Sequence, residues 1–379
     1  NRNFINVLGV IRGEEEPHRF VLISNHHDAW TYGGVDPGTG TATMLELARI
    51  FGRLHRIGWK PRRSLIFGFW DGEEYALTGS TAWGEEESGR MRECLACLNV
   101  DAAVSGNKFS CASSPLLVGL INQIASKVRL PGGKWMGSFF KHPCPDDEKS
   151  DGSGALPGCE PIEILAGGTD HTVFFNRMGV PSLNVCFEGP YGVYHSMYDD
   201  FEWVKKFADP NFLYHTAMAK FIGLMALHLM ESDILPYDVL AYPRAFRGHL
   251  DTLPRKSKIM EILQKAADKW DEAAREAHSA IISVKQRPPG AVREKTKIIN
   301  DALLSIERSL LDKDGLTGRE WFRHLIYVPQ NTYRAQVFPG IMAALEKGKR
   351  KDAIEQAKKI AAAVEKVCMY LKRITKAIK

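Results

Sequence analysis

The sequence predicts an α/β fold followed by an all-helical C-terminal domain, and three observations carry that reading. Up to about residue 235, short β-branched runs alternate with helical patterns and Gly/Pro turns, the grammar of an α/β sheet. After Pro236 the strand patterns give way to long segments of helical periodicity rich in exposed Lys and Glu. The length of 379 residues exceeds the ~250–300 at which a single core stops growing, which favours two domains, 1–235 and 236–379.

In chain order, residues 19–25 (RFVLISN), 63–70 (RSLIFGFW), 94–100 and 181–187 (PSLNVCF) read as strands. Between the first two, residues 41–57 place apolar side chains at i, i+3, i+4 and i+7, an amphipathic helix closed by Gly58. Residues 131–161 are rich in Gly, Pro, Asp and Ser and too long for a plain connector, as lids and binding loops are. Residues 212–230 are the most apolar long stretch, but His215, Lys220 and His228 interrupt it, so it reads as a buried helix. Helical periodicity then covers 257–282, 292–312 and 343–378.

Composition narrows the function classes. The chain is 44% hydrophobic and 25% charged, which excludes a disordered protein, and its net charge of +5 gives no footprint for nucleic acid. Seven cysteines are too few for a disulfide scaffold, and Cys94 and Cys97 read as two small apolar residues of a strand rather than half of a zinc finger.

The chemistry concentrates where strands end. Sites in open α/β sheets form beyond the carboxyl ends of the strands. Here the first strand runs into His26, His27 and Asp28, with Asp36 after a turn, the second into Asp71, Glu73 and Glu74, and the third into Asp101. The fourth is followed by Tyr194 and His195. Imidazole and carboxylate ligands without cysteine suit zinc in an open, catalytic site, and the surplus of carboxylates suggests two ions sharing one of them. Adjacent Glu73 and Glu74 point differently, so one can ligate while the other stays free as a general base.

The motifs NHHDAWTYGGVDPGTG (25–40), FWDGEEYALTGSTAW (69–83), NVDAAVSGN (99–107), GGTDHTVFFNRMGVP (167–181), YHSMYDDFEWV (194–204) and RHLIYVPQNTYRAQVFPGI (323–341) resemble the glutamate carboxypeptidase II group of co-catalytic zinc exopeptidases, which includes the non-enzymatic transferrin receptor. The resemblance implies a central mixed β-sheet flanked by helices, two Zn2+ per chain, a small peptide substrate and a homodimer formed through the helical domain. Position by position, it implies that His26 binds one zinc and His195 the other, and that Asp36 bridges them. Glu74 and Asp101 complete the two shells, Glu73 is the general base acting on a zinc-bridging water, and Asp28 orients His26. Tyr194 and Tyr333 resemble residues that contact the tetrahedral intermediate or the C-terminal substrate residue.

Some positions depart from the glutamate-selective members. Thr332 stands where they have a lysine, Thr169 where they have an asparagine, and Asn184 and Cys186 where they have arginines. A pocket without those cations cannot compensate a buried substrate carboxylate, so a broader peptidase for neutral or apolar peptides is expected. The family's calcium site lacks one acidic ligand, with Ala82 in its place while Glu85 remains. The chain enters at the strand leading to NVLGVIRG and reads as the C-terminal part of a longer, extracytoplasmic protein, either secreted, periplasmic or anchored through a preceding segment. The alternative function is a non-catalytic, receptor-like or scaffold homologue. That branch has lost zinc ligands, whereas all five are present here.

Overall fold

The computed structural model describes residues 3–140, 162–285, 293–331 and 333–378. Most of the loop expected over 131–161 lies outside the described residues, and the described start of it forms short 3-10 turns, Pro131–Gly133 and Met136–Phe140.

Six strands form one sheet: β1 (Val7–Ile11), β2 (Glu16–His26), β3 (Arg63–Trp70), β4 (Cys94–Asn99), β5 (Lys108–Ser113) and β6 (Ser182–Glu188), in the order β1-β3-β2-β4-β6-β5. β3, β2, β4 and β6 run parallel, and β1 and β5 flank them antiparallel, which is the mixed sheet expected. β2 is central, and Phe20, Val21, Leu22 and Ile23 are all fully buried because both faces are covered. Alternate residues serve the two faces. Val21, Ile23, Leu65 and Phe67 join the large core that continues into the C-terminal helices, while Phe20, Leu22, Ile66 and Trp70 pack with Trp83 and Phe174. Cys94 and Cys97 are free and buried in β4, as their apolar reading required.

The helices of the first part are α1 (Gly38–Arg56), α2 (Thr78–Glu86), α3 (Val118–Ala125), the single turn α4 (Phe201–Trp203) and α5 (Leu213–Glu231). α1 buries Met44, Leu47 and Phe51, and the chain turns away from it at Gly58, whose φ of +102° an L side chain rarely adopts. Beyond Leu235 come α6 (Ala241–His249), α7 (Lys258–Lys285), α8 (Arg293–Ser309), α9 (Pro339–Glu346) and α10 (Arg350–Ile378). Two details differ from the sequence reading. The helical run over 343–378 is broken, because Gly348 at φ +68° closes α9 before α10 begins. A short antiparallel ribbon, β7 (Tyr327–Pro329) with β8 (Ala335–Val337), also interrupts the helices, and strands of three residues leave no periodic signal.

Arg63 ties the sheet to α5. Its fully buried guanidinium donates to the carbonyls of Leu229 (3.1 Å), Met230 (3.3 Å) and Ser232 (2.7 Å), the unpaired acceptors at that helix's end. It also pairs with Glu16 at 3.2 Å. Burial alone would raise the Glu16 pKa, but the charges of Arg63, Arg19 and Arg62 overrule it and hold the carboxyl at about 2. Replacing Arg63 by Met strands those carbonyls and should cost ~3–5 kcal/mol, read as a lower urea midpoint. An unchanged midpoint would show that the latch carries no stability.

Candidate metal centre

All four parallel strands deliver their carboxyl ends to one edge of the sheet. β2 ends at His26, β3 leads into Glu73 and Glu74, β4 leads into Asp101, and the segment after β6 returns with His195. Close approach of backbones brings them together. At Gly40, near the start of α1, a Cβ would lie 2.0 Å from the carbonyl oxygens of Val100 and Asp101, so only glycine lets that helix settle against the loop carrying Asp101.

Asp36 is the hub. Its Oδ1 lies 3.1 Å from His26 Nε2, and its Oδ2 lies 3.2 Å from His195 Nε2. Asp101 Oδ1 is 3.0 Å from the same His26 nitrogen, and Glu74 Oε1 is 3.3 Å from the same His195 nitrogen. Two sets result, His26–Asp36–Asp101 and Asp36–Glu74–His195, each with ligand atoms within 4.8 Å of one another and with Asp36 common to both. Glu73 stands beside them, Oε2 4.0 Å from His26 Nε2, outside either set.

The supports were only partly foreseen. Asp28 lies with Oδ1 3.5 Å from His26 Nδ1, on the ring edge away from the cluster, and accepts from the backbone N–H of Glu73 (3.0 Å) and Glu74 (3.3 Å). The same His26 nitrogen lies 2.9 Å from the backbone carbonyl of Asp28, so this one residue holds the histidine chiefly through its carbonyl and both glutamate backbones through its carboxylate. Asp199, which the sequence reading passed over although it lies in the quoted YHSMYDDF run, accepts from Val35 N (2.8 Å), Asp36 N (3.2 Å) and the Tyr191 hydroxyl (2.6 Å). Asp170 was also missed, and it is fully buried with neither carboxylate oxygen hydrogen-bonded. Backbone strain gathers here too: Ala76, Leu77 and His195 have φ of +64°, +57° and +56°.

Of the expected substrate contacts, Tyr194 stacks on His195 at 3.6 Å between ring centroids, and its hydroxyl lies 3.3 Å from that of Tyr333. Thr169 is set beneath the cavity rather than on its wall. It is buried, and its hydroxyl accepts from Asn99 Nδ2 at 2.7 Å, because the following Asp170 turns inward and Gly168 reaches the cavity instead. Thr332 lies outside the described residues. Glu85, the remaining acidic residue of the calcium pattern, is engaged by Arg177 Nε at 2.7 Å and Trp321 Nε1 at 2.9 Å.

The electrostatics test whether cations fit. Burial first, then the charge of Asp101, pushes Glu73 up to about 10, and burial with the charge of Asp36 pushes Glu74 up to about 7. Burial opposes a proton on His26, yet Asp101, Asp28 and Asp36 together raise its pKa well above the usual histidine range. Asp36 Oδ1 and Glu74 Oε1 are buried and, although each lies near an imidazole nitrogen, neither makes a hydrogen bond. Carboxylates crowded in this way want positive charge, and the imidazole–carboxylate donor set matches zinc.

The comparisons with known proteins agree with this chemistry. Residues 6–214 match the model of peptidase family M28, and residues 255–372 match the transferrin receptor-like dimerisation domain. The chain belongs to peptidase family M28. Among its curated relatives, the probable glutamate carboxypeptidase LAMP1 of Arabidopsis thaliana is 39% identical over 99% of this chain and 53% of its own length. Aminopeptidase NAALADL1 of Rattus norvegicus is 30% identical over 362 residues, covering 90% of this chain and 48% of its own length. This M28 chain spans about half the length of the curated relatives it matches. Among solved structures, a zinc aminopeptidase from Bacillus subtilis overlays with a TM-score of 0.43 at 17% identity, over 60% of this chain and 50% of that one.

The raised groups fix the sign of a pH effect. Glu73 and Glu74 are stabilised in their protonated forms, so their contribution is full below about 4.5 and is lost as pH rises through about 7 for Glu74 and about 10 for Glu73. Metal-free protein should lose thermal stability from pH 5 to pH 9. Added zinc should raise Tm, and more at pH 8 than at pH 5.5, because ligation requires the deprotonated forms. An equal zinc shift at both pH values, measured by scanning fluorimetry, would contradict this.

Proposed function

We propose that this chain is the catalytic part of a dinuclear zinc exopeptidase that hydrolyses a terminal peptide bond of small peptides. The observation that carries the reading is Asp36, one carboxylate with an oxygen toward each of two histidines, beside a glutamate that belongs to neither set. His26 and Asp101 would hold one ion, Glu74 and His195 the other, and Asp36 both. Zinc bound there supplies Lewis acidity toward the scissile carbonyl and acidifies the attacking water.

The rest of the chemistry belongs to side chains. Glu73 takes the proton from the attacking water and returns it to the leaving amine. Its raised pKa makes it a poor base in the bare cluster, and neighbouring cations reverse that by favouring the carboxylate. Asp28 holds His26 and the backbone of Glu73 and Glu74 in register, so the base and two ligands share one support. Tyr194 and Tyr333, whose hydroxyls lie 3.3 Å apart on the cavity wall, would donate to the substrate. Glutamate selectivity is not expected, given Asn184, Cys186 and Thr332 at the positions where the selective relatives carry cations.

The C-terminal helices supply the second half of the proposal, a homodimer, supported by the dimerisation-domain match over 255–372. Sedimentation at micromolar concentration should give the mass of two chains, and a clean monomer would count against it.

For the chemistry, Glu73→Gln should retain zinc and lose ~10²–10⁴-fold in kcat on a cleaved peptide. Unchanged turnover would end the assignment of the base. Absence of any peptidase activity in the zinc-loaded wild-type chain would favour the receptor-like alternative.

A further inference from the structure

Tyr333 reaches the cavity wall from a part of the chain that holds none of the candidate ligands. It sits near the tip of the β7–β8 hairpin and is 73% exposed, so packing does little to hold the tip itself. Its position is inherited from the hairpin's base. We infer, resting on the peptidase reading above, that Glu307 is a positioning residue: through His324 it fixes the angle at which the hairpin carries Tyr333 to the cavity.

The base is built on one imidazole. His324 stands just before β7 and is fully buried. Its Nδ1 accepts from the backbone N–H of Ile326 (3.2 Å) and of Tyr327 (3.1 Å), which turns the chain into the first strand of the hairpin. Two donors on that nitrogen make it the ring's acceptor, so the proton of the neutral imidazole lies on Nε2. Glu307 Oε1, on α8, receives that proton's hydrogen bond at 3.0 Å. Glu307 is fully buried as well, and its carboxylate also accepts from the hydroxyls of Tyr242 on α6 and of Ser114 between β5 and α3. Three donors from separate elements leave the carboxylate one place to sit, and the imidazole is aimed accordingly. A second tie fixes where the base lies: Asn176 Nδ2 donates to the Tyr327 carbonyl at 2.9 Å.

The hairpin converts angle into distance. Three strand residues at ~3.3 Å each put the tip roughly 10 Å beyond the base, so a tilt of about 6° displaces it by ~1 Å. A hydrogen bond from the Tyr333 hydroxyl to a substrate does not keep its geometry through a shift of that size. Without an acceptor at position 307, the buried Nε2 proton is left to the Tyr242 hydroxyl, 3.4 Å away, and the ring draws off the two amides to reach it.

The test uses the zinc-loaded chain and the dipeptide Ala-Phe, whose two termini are both free. Glu307→Met, which removes the acceptor, should lower kcat/KM roughly 3- to 30-fold. Glu307→Gln should stay within ~3-fold of wild type, because its amide oxygen can still accept from His324 while its NH2 donates to Ser114. If Glu307→Met does not fold, His324→Asn takes its place: the amide oxygen can keep the two backbone N–H groups, and the link to Glu307 is lost. In a Tyr333→Phe background the tether variant should cost less than ~2-fold further, since the hydroxyl being positioned is gone. Hydrogen exchange reads the base without turnover, and the amides of Ile326 and Tyr327 should exchange at least ~10-fold faster in the tether variant while those of β4 keep their rates. Equal losses in Glu307→Met and Glu307→Gln, or full additivity with Tyr333→Phe, overturn the positioning role and leave the peptidase reading standing. Unchanged exchange at Ile326 and Tyr327 overturns it whether or not the chain turns over. If the wild-type chain cleaves neither Ala-Phe nor any other dipeptide, the peptidase reading falls and the inference with it.

Discussion

The arrangement depends on one carboxylate facing two ways. Asp36 can meet both histidines only because its backbone is clamped: Asp199 accepts from the amides of Val35 and Asp36, and so fixes the direction in which the side chain leaves the turn. From that fixed point the rest follows as a matter of charge. Asp101 and Glu74 each approach a different imidazole, and burial first, with the repulsion of neighbouring carboxylates added to it, raises the pKa of Glu74 and Glu73. The fold is spending stability on a cluster that would be unfavourable without compensating cations.

Much of this could be read from the residues. The buried strands announced themselves because β2, β3, β4 and β6 are covered on both faces and are therefore nearly continuous apolar runs. The clustered histidines and carboxylates announced themselves because most of them stand just after those runs. β5 escaped notice: its sequence KFSCAS lies at the sheet's edge, where one unpaired side removes the pressure for an apolar pattern. The break at Gly348 escaped because both flanking segments keep a helical period, and the residue's conformation rather than its polarity ends α9.

At the site, the residues that converge on Asp36 were legible and, Asp28 apart, their supports were not. Histidines and carboxylates after several strand ends at once stand out, whereas Asp199 and Asp170 are ordinary aspartates until the fold shows what surrounds them. Thr169 illustrates how local geometry decides exposure. Its place in the motif put it near the pocket, but a turn of one residue decides whether a side chain faces the cavity or the sheet, and here Gly168 takes the open side. Local geometry at that scale is fixed by packing, in this case by the hydrogen bond from Asn99, and leaves no mark on composition.

The order in which the ligands occur along the chain has a consequence for biogenesis. His26 and Asp101 are 75 residues apart, and Asp36 and His195 are 159 apart, with β3, β4 and β6 threaded between them. Contacts so distant in sequence close late in folding, after the parallel strands have found their register. A nascent chain would have to extend past His195 before the second set could assemble at all. The centre is therefore a product of the finished sheet and cannot serve as its nucleus, and ion capture would act as a final seal on a structure that other forces had already built.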